Sequence, residues 1–571
     1  MGKACGNTVD RVLASKTGIS APIKFSRHLD VSHGGVLLSL PSLSASGLLR
    51  HSSTFKPDEG YYSVESVFIC LAFLFLLRAK TLAQSSNIPS GELGKVLGLD
   101  RIPEVKTLRK RIERFCDRTD VKQWSAALSK DWMEQHPELS GVLYVDGHVK
   151  IYYGKKTKMP KRYVSRQRLC MSGSTDYWVN DMTGQPFFVI NEVINSGMLD
   201  KFKTEIIPRL NQDVPNQPSE EELKSKPLLS RYMVVFDREC YSPDFFHQLW
   251  YKERIAICTY RKYVTEKWPE EEFSTYEMKL ISGEIQKVEL AERGVLLKSS
   301  GSKKQIWCRE IRKKTKSGHQ TSIITTNYSM EIVTIGIYMF ARWSQENFFK
   351  YMMENFEIDT LISYTKEIVD ETKKLINPVY RALESELKKL NGKMIRRKAE
   401  FATYTLAENK IEENNMHKYL TRKANVLDEI EQLENNIKEV KNKKKNTEKK
   451  ICFGQLPENE KFTNAINEKK HFIDTIKMIA YRAETAMCNI MKPKMGHTDE
   501  SRKLIKQIYK SDVDIKPDYD NKTLNISLHK LNYWKDDKIL EKLCEELNQT
   551  KTIFPGTDLT LFYKLVSSKN P

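Results

Sequence analysis

The chain has 571 residues and a formal net charge of +19, with 93 Lys and Arg against 74 Asp and Glu and 40% hydrophobic residues. That length exceeds what one core supports and predicts three or four domains, and the basic excess points to a polyanionic partner, most simply nucleic acid. Ten cysteines with no C-x-x-C spacing argue against zinc ribbons and thioredoxin-type sites, and the longest apolar run, "VFICLAFLFLL" at Val67–Leu77, is too short for a membrane span, which needs about 20 residues.

In chain order, residues 1–55 are mixed, with Gly34–Gly35 and Pro41 as punctuation. Residues 56–137 read as helices, with Val67–Leu77 buried. Within them, a short helix, a break at Gly98–Pro103 and an amphipathic helix follow one another. The apolar stripe of that helix is Val105, Leu108, Ile112 and Phe115, with Lys106, Arg109, Lys110 and Arg111 off it. This suits either a helix-turn-helix with a DNA-reading second helix or a helical hairpin with a solvated basic face.

From 138 to 265 the pattern turns to strands: "SGVLYVDGHV", "KIYYGKK", "PFFVINEV", "YMVVFDREC" and "RIAICTYRK", with a helix near Pro243–Tyr251. Residues 266–325 read as a β-rich insertion, and a helix follows from about Ser329 to Asn355. Long polar helices fill 371–464. Leu383, Leu387, Leu390 and Met394 form one heptad seam, and Val426, Ile430, Leu433, Ile437 and Val440 a second, predicting a helical hairpin or a dimerising coiled coil. The second seam runs into "KNKKKNTEKK", six lysines in ten residues, which is a solvated run or a DNA-backbone contact. Residues 465–571 open with a helix and close as a small α+β domain.

Two apolar strands end in a carboxylate, Asp146 in "LYVDGH" and Asp237 in "VVFDRE". Open α/β sheets place ligands beyond the carboxyl ends of their strands. Two carboxylates at close range repel unless one takes a proton or a cation lies between them. An all-oxygen set suits Mg²⁺ or Mn²⁺. A third carboxylate is available in the 329–355 helix, where Tyr338, Arg342, Glu346 and Lys350 recur every four residues. That spacing also fits an ordinary salt-bridged face.

An Asp on a first strand, "DRE" after a later one and a Y-x-x-x-R-x-x-x-E helix together resemble the DDE transposases of bacterial insertion sequences. The likeness is to the cut-and-paste group with a β-strand insertion between the second Asp and the Glu. Asp146 and Asp237 are 91 residues apart and Asp237 and Glu346 are 109 apart, the longer gap accommodating residues 266–325. "YVDGHVKIYYGKK", "TDYWVND", "GQPFFVI" and "VVFDRECYSPDFF" extend the resemblance over about 30–571. The family signature carries a Lys seven residues after the Glu. Met353 stands there in this chain, and Lys350, within about 60° on an ideal helix, is the candidate substitute.

The resemblance implies a ribonuclease H-like α/β catalytic core (138–265 and 326–370) with a β-rich insertion, beside the helical domain, the hairpin and the C-terminal domain. It implies two Mg²⁺ or Mn²⁺ ions held by Asp146, Asp237 and Glu346, and phosphoryl transfer on double-stranded DNA, at transposon terminal repeats and target DNA. A homodimer or higher assembly on paired ends and a cytoplasmic, nucleoid-associated location follow, without a membrane. Arg342 would contact a phosphate, or pair with Glu346 instead, and Tyr338 would pack beside it. Eight Lys or Arg between Val149 and Arg168, with Lys155, Lys156 and Arg162 among them and three tyrosines interleaved, would hold a DNA end. Trp307, among Lys303, Lys304, Arg309 and Arg312, would stack on an extruded base, or sit in a core as strand tryptophans more often do. A catalytically silent DNA-binding descendant and a ribonuclease H-like nuclease without strand transfer remain the alternatives.

Overall fold

The computed structural model describes residues 8–566 except 19, 57–59, 155–158, 160, 165, 166, 168, 193–196, 265, 281, 282, 300–303, 360–365, 368–370, 373, 408–412, 458–463, 466, 467, 496 and 497. It is a mixed α/β molecule organised around one large sheet. Its strands are β1 (Val142–Ile151), β2 (Lys161–Val164), β3 (Leu169–Asn180), β4 (Pro186–Glu192), β5 (Met233–Phe236), β6 (Ala256–Tyr260), β7 (Ser274–Lys279), β8 (Ile285–Lys298), β9 (Gln305–Lys314) and β10 (Gln320–Thr325). The order is β2-β3-β1-β5-β6-β10-β9-β8-β7, with β4 also pairing β3. β1, β5 and β6 are parallel neighbours, and the flanking pairs are antiparallel. β5 is buried along its whole length, as a central parallel strand must be.

Two sequence expectations change here. "KIYYGKK" does not begin a new strand: pairing with β3 continues through Lys150↔Ser174 and Ile151↔Gly173, so its start is the tail of β1. The strands of the 266–325 region do not stand apart either. β10 pairs with β6, and β9, β8 and β7 extend the same sheet outward.

Helix α1 (Ile332–Phe356) packs across β1, β5 and β7. Helices α2 (Pro378–Ala407) and α3 (Glu413–Lys445) pack on each other through Leu387, Met394, Val426, Ile430, Ile437 and Val440, with Leu383, Leu390 and Leu433 alongside. The two sequence seams therefore meet, in an apolar cluster of their own.

Helix α4 (Glu468–Met491) is the central strut. It packs on the Val64–Leu76, Val105–Arg118 and Val121–Gln135 helices. Phe472 lies against Phe55, Phe68, Phe115 and Trp124 at centroid separations of 5.4–6.1 Å. Removing such a ring costs about 3–5 kcal/mol, so the loss of Phe472 loosens α4 from the N-terminal helices. The Val64–Leu76 helix is apolar all round and is buried accordingly, as its composition requires. Among the described residues no helix is long and apolar enough to cross a membrane.

The chain's two ends share a sheet. His28–Val31 pairs antiparallel with Val513–Asp518, which continues through Thr523–His529 to Thr560–Val566. The amphipathic stripe of the Val105–Arg118 helix faces the core as expected, but Arg111 is buried with it and not on the basic face. Gly60 leaves the room Arg111 needs: a Cβ there would lie 2.6 Å from Nη2.

Candidate functional site

Val145 of β1 pairs with Phe236 of β5 in the parallel register. The next residues, Asp146 and Asp237, therefore leave that pairing side by side, one strand spacing apart, about 4.8 Å. Both are half-buried. β1 continues past Asp146, whereas β5 ends and Asp237 opens the Arg238–Cys240 turn.

Helix α1 supplies the third carboxylate. Its register is set by Gln345, a fully buried amide whose Nε2 donates to the Tyr144 and Trp178 carbonyls at 3.3 and 3.2 Å and to Asn180 Oδ1 at 3.0 Å. The Tyr144 hydroxyl donates to the Tyr338 carbonyl at 2.8 Å, and Ser344 Oγ donates to the Met182 carbonyl at 2.9 Å. These bonds fix α1 over β1 and β3 and turn Arg342 and Glu346 toward the strand ends.

Arg342 links the acids. It lies 2.7 Å from Glu346 Oε1 and 3.8 Å from Asp146 Oδ2, with its side chain 14% exposed. Burial alone would push the guanidinium's pKa down, but the charges of Asp146, Asp237 and Glu346 raise it above its ordinary value. All three carboxylates thus act on one cation. Their ligand atoms do not close to within 4.8 Å of one another as a trio; among the described residues only Asp30, Asp514 and His529, on the terminal sheet, do so.

The consequence falls on Asp146. A quarter of its side chain reaches solvent, yet its surroundings are poor in water. Burial pushes its carboxyl up to about 7; Arg342 and the Gly147 N–H, which donates to Oδ1 at 2.8 Å, pull it back, and Asp237 and Glu239 add to the rise. Glu239 is a fourth carboxylate near the site that the sequence reading passed over, although "DRE" contains it. Tyr260 at the end of β6 lies with its ring 6.0 Å from the Arg342 guanidinium.

The remaining expected residues divide. Tyr338 is half-buried and contributes its carbonyl; Lys350 is exposed one turn beyond Glu346. Met353, at the position of the signature lysine, packs against the apolar core. Lys155 and Lys156 lie outside the described residues, and Arg162 stands on β2 opposite Met171. Trp307 is not a core tryptophan: it is 53% exposed on β9, its indole lying over Gly294, where a Cβ would come within 2.5 Å.

Several of the expected basic contacts are committed elsewhere. Lys150 is buried against Asp176 at 2.7 Å. Arg309 pairs with Glu292 and donates to the Asn327 and Met330 carbonyls. Arg312 is fully buried, pairs with Glu310 and lies 4.2 Å from the Trp268 ring. All three have partners within the protein.

The far end of α1 is held by an ion network the sequence did not announce. Glu484 of α4, fully buried, accepts from Arg78 at 2.7 Å and Arg502 at 2.9 Å, and from the Tyr351 hydroxyl of α1. The two arginines together hold its carboxyl below the ordinary range despite burial.

A family model described as "Transposase protein" matches residues 2–567 of the chain. No curated protein matches it.

Proposed function

The chain belongs to the transposase family that spans it from residue 2 to residue 567, and from that premise we propose that it is a DDE-type enzyme that cleaves and joins DNA at insertion-sequence ends. The observation that carries this reading is the convergence of Asp146, Asp237 and Glu346 on one guanidinium, with the two aspartates side by side on parallel strands. The sheet order β4-β3-β1-β5-β6, antiparallel then parallel, with a helix across it bearing the third acid, supports a ribonuclease H-like core.

The donor set fits hard divalent cations. It is all oxygen, three acids share one internal cation, and Asp146 tends to hold a proton where no further positive charge reaches it. Asp146, Asp237 and Glu346 would hold Mg²⁺ or Mn²⁺, and two such ions supply charge stabilisation for the attacking and leaving oxygens of an in-line displacement. Arg342 holds the acids together in the free protein, and its Nε has no hydrogen-bond partner among the described residues. Facing a phosphodiester, it would position the strand by a charge-assisted bond. Gln345 keeps Glu346 in register with both aspartates, and the exposed Lys350 extends the positive side of α1 toward the backbone of the same strand.

The test incubates purified protein with duplexes carrying its own flanking DNA and Mn²⁺ and reads nicked and joined products. Metal-dependent nicks at the element boundary, absent in Asp146→Asn, are expected. DNA binding without any product would favour a silent descendant, and cutting of branched or hybrid substrates without end sequences would favour a nuclease.

A further inference from the structure

The α2–α3 hairpin forms an arm whose apolar cluster is separate from the main core. At about 1.5 Å per residue, helices of 30 and 33 residues reach roughly 45–50 Å. Among the described residues the arm meets the body at its base. There Lys374–Ile376 pairs with Lys450–Cys452, Lys450 meets Asp200 at 2.7 Å, and Arg381 Nη1 donates to the Lys161 carbonyl of β2 at 3.5 Å.

Positive charge collects at that base. Residues 438–450 contain seven lysines and two glutamates. Lys388 of α2 and Lys441, Lys444 and Lys445 of α3 line one shallow groove between the helices. Lys444 is neutralised by Glu384 at 3.0 Å and lies 4.8 Å over the Tyr380 ring. Lys388, Lys441 and Lys445 are exposed and have no acidic partner among the described residues. Like charges at this density repel one another, and a regularly spaced polyanion relieves that repulsion by releasing its own counterions.

The position is informative as well. Lys161 pairs with Ser172 and Asp146 pairs with Trp178, so six residues of β3 separate the arm's base from the carboxylates. At about 3.3 Å per residue this is roughly 20 Å to the Arg381 contact, and Lys388, seven residues further along α2, adds about 10 Å at most, which keeps the groove within about one turn of duplex from the carboxylates.

We propose that the Lys388–Lys441–Lys445 groove near the base of the arm binds the phosphate backbone of duplex DNA within about one helical turn of the phosphate being cut. The location rests on the reading of the carboxylates as the cutting site; the affinity of the groove for duplex does not. Lysines meet phosphates as point charges, so the contact they make is independent of sequence.

The test uses the full-length protein and a 30-base-pair duplex carrying an element end and its flank. Lys388→Gln, Lys441→Gln and Lys445→Gln are combined. Glutamine preserves helix propensity, and circular dichroism checks that the arm remains helical. The expected result is a loss of affinity of about tenfold at low salt and a salt-dependence slope shallower by about 2–3, since each phosphate contact contributes ~0.9. Hydroxyl-radical protection disappears at a stretch of backbone within about one turn of the nick. Arg at the same three positions restores both slope and footprint. An unchanged slope and footprint in the glutamine variant overturns the proposal. If the wild-type protein binds with the lysine-dependent slope but never cuts, the reading of the carboxylates fails while the groove stands.

Discussion

Two ion networks flank helix α1, one half-buried and one fully buried, and their charge ratios are opposite. Around Arg342, three carboxylates share one guanidinium; around Glu484, two guanidinium groups and a phenol serve one carboxylate. In the first, burial drives the Asp146 carboxyl up to about 7; Arg342 offsets this only in part, and Asp237 and Glu239 add to the rise. The second over-compensates and drives Glu484 down. A network that only holds a fold together approaches the second arrangement. An under-compensated one persists where something outside the chain completes it.

The largest expected effect separates the two directly. Asp146→Asn abolishes metal-dependent cleavage by at least ~10³-fold, about 4 kcal/mol of barrier, and leaves end binding nearly intact in a gel-shift assay. Lost binding would mean that Asp146 is structural. Glu484→Gln acts in the reverse sense: it leaves Arg78 and Arg502 buried against a neutral amide and lowers stability by about 3–5 kcal/mol in urea. Asp146→Asn is not expected to do that.

The two acids also pull stability in opposite directions with pH. Glu484, with its pKa depressed when folded, contributes stability above the ordinary carboxylate range, and that contribution is lost as pH falls through its folded pKa. Asp146, raised when folded, costs stability increasingly as pH rises from the ordinary carboxylate range to about 7, with no further change above. Replacing it with Asn therefore raises urea stability most above pH 7, by about 1–3 kcal/mol after allowing for its partial exposure. A stability difference independent of pH between the two proteins would remove the under-compensation argument. The smallest effect is that of Gln345→Leu, which leaves two carbonyls and Asn180 Oδ1 without their donor and costs about 1–2 kcal/mol. Its informative readout is a lower cleavage rate with unchanged DNA affinity, since α1 then loses its register over the strand ends.

What could be read beforehand follows the same division. Asp146 and Asp237 stood out because each ends an apolar strand, and the arm because its seams repeat within one helix. These are local signals. The 332–356 helix was legible, but whether Arg342 would serve Glu346 or the wider site was not; in the structure it serves both. Lys150 read as a DNA contact because its tract holds no acid, while its partner Asp176 lies on the neighbouring strand. Trp307 read as a base-stacking residue or a core one, and the cross-strand space at Gly294 shows why it lies flat on the surface. Gln345, Glu484 and Arg111 carry no periodic or motif signal; their roles arise from partners brought close only by packing.

The pairing of His28–Val31 with Val513–Asp518 has a consequence for biosynthesis. Roughly 480 residues separate the two strands, so at about 5–20 residues per second the first waits on the order of 25–100 s on the ribosome before the second is made. The sheet, and the anchorage it gives the N-terminal helices, is completed only after Val513–Asp518 has emerged. A product truncated before Val513 leaves the His28–Val31 edge unpaired, and an open strand edge is prone to mispairing with other chains.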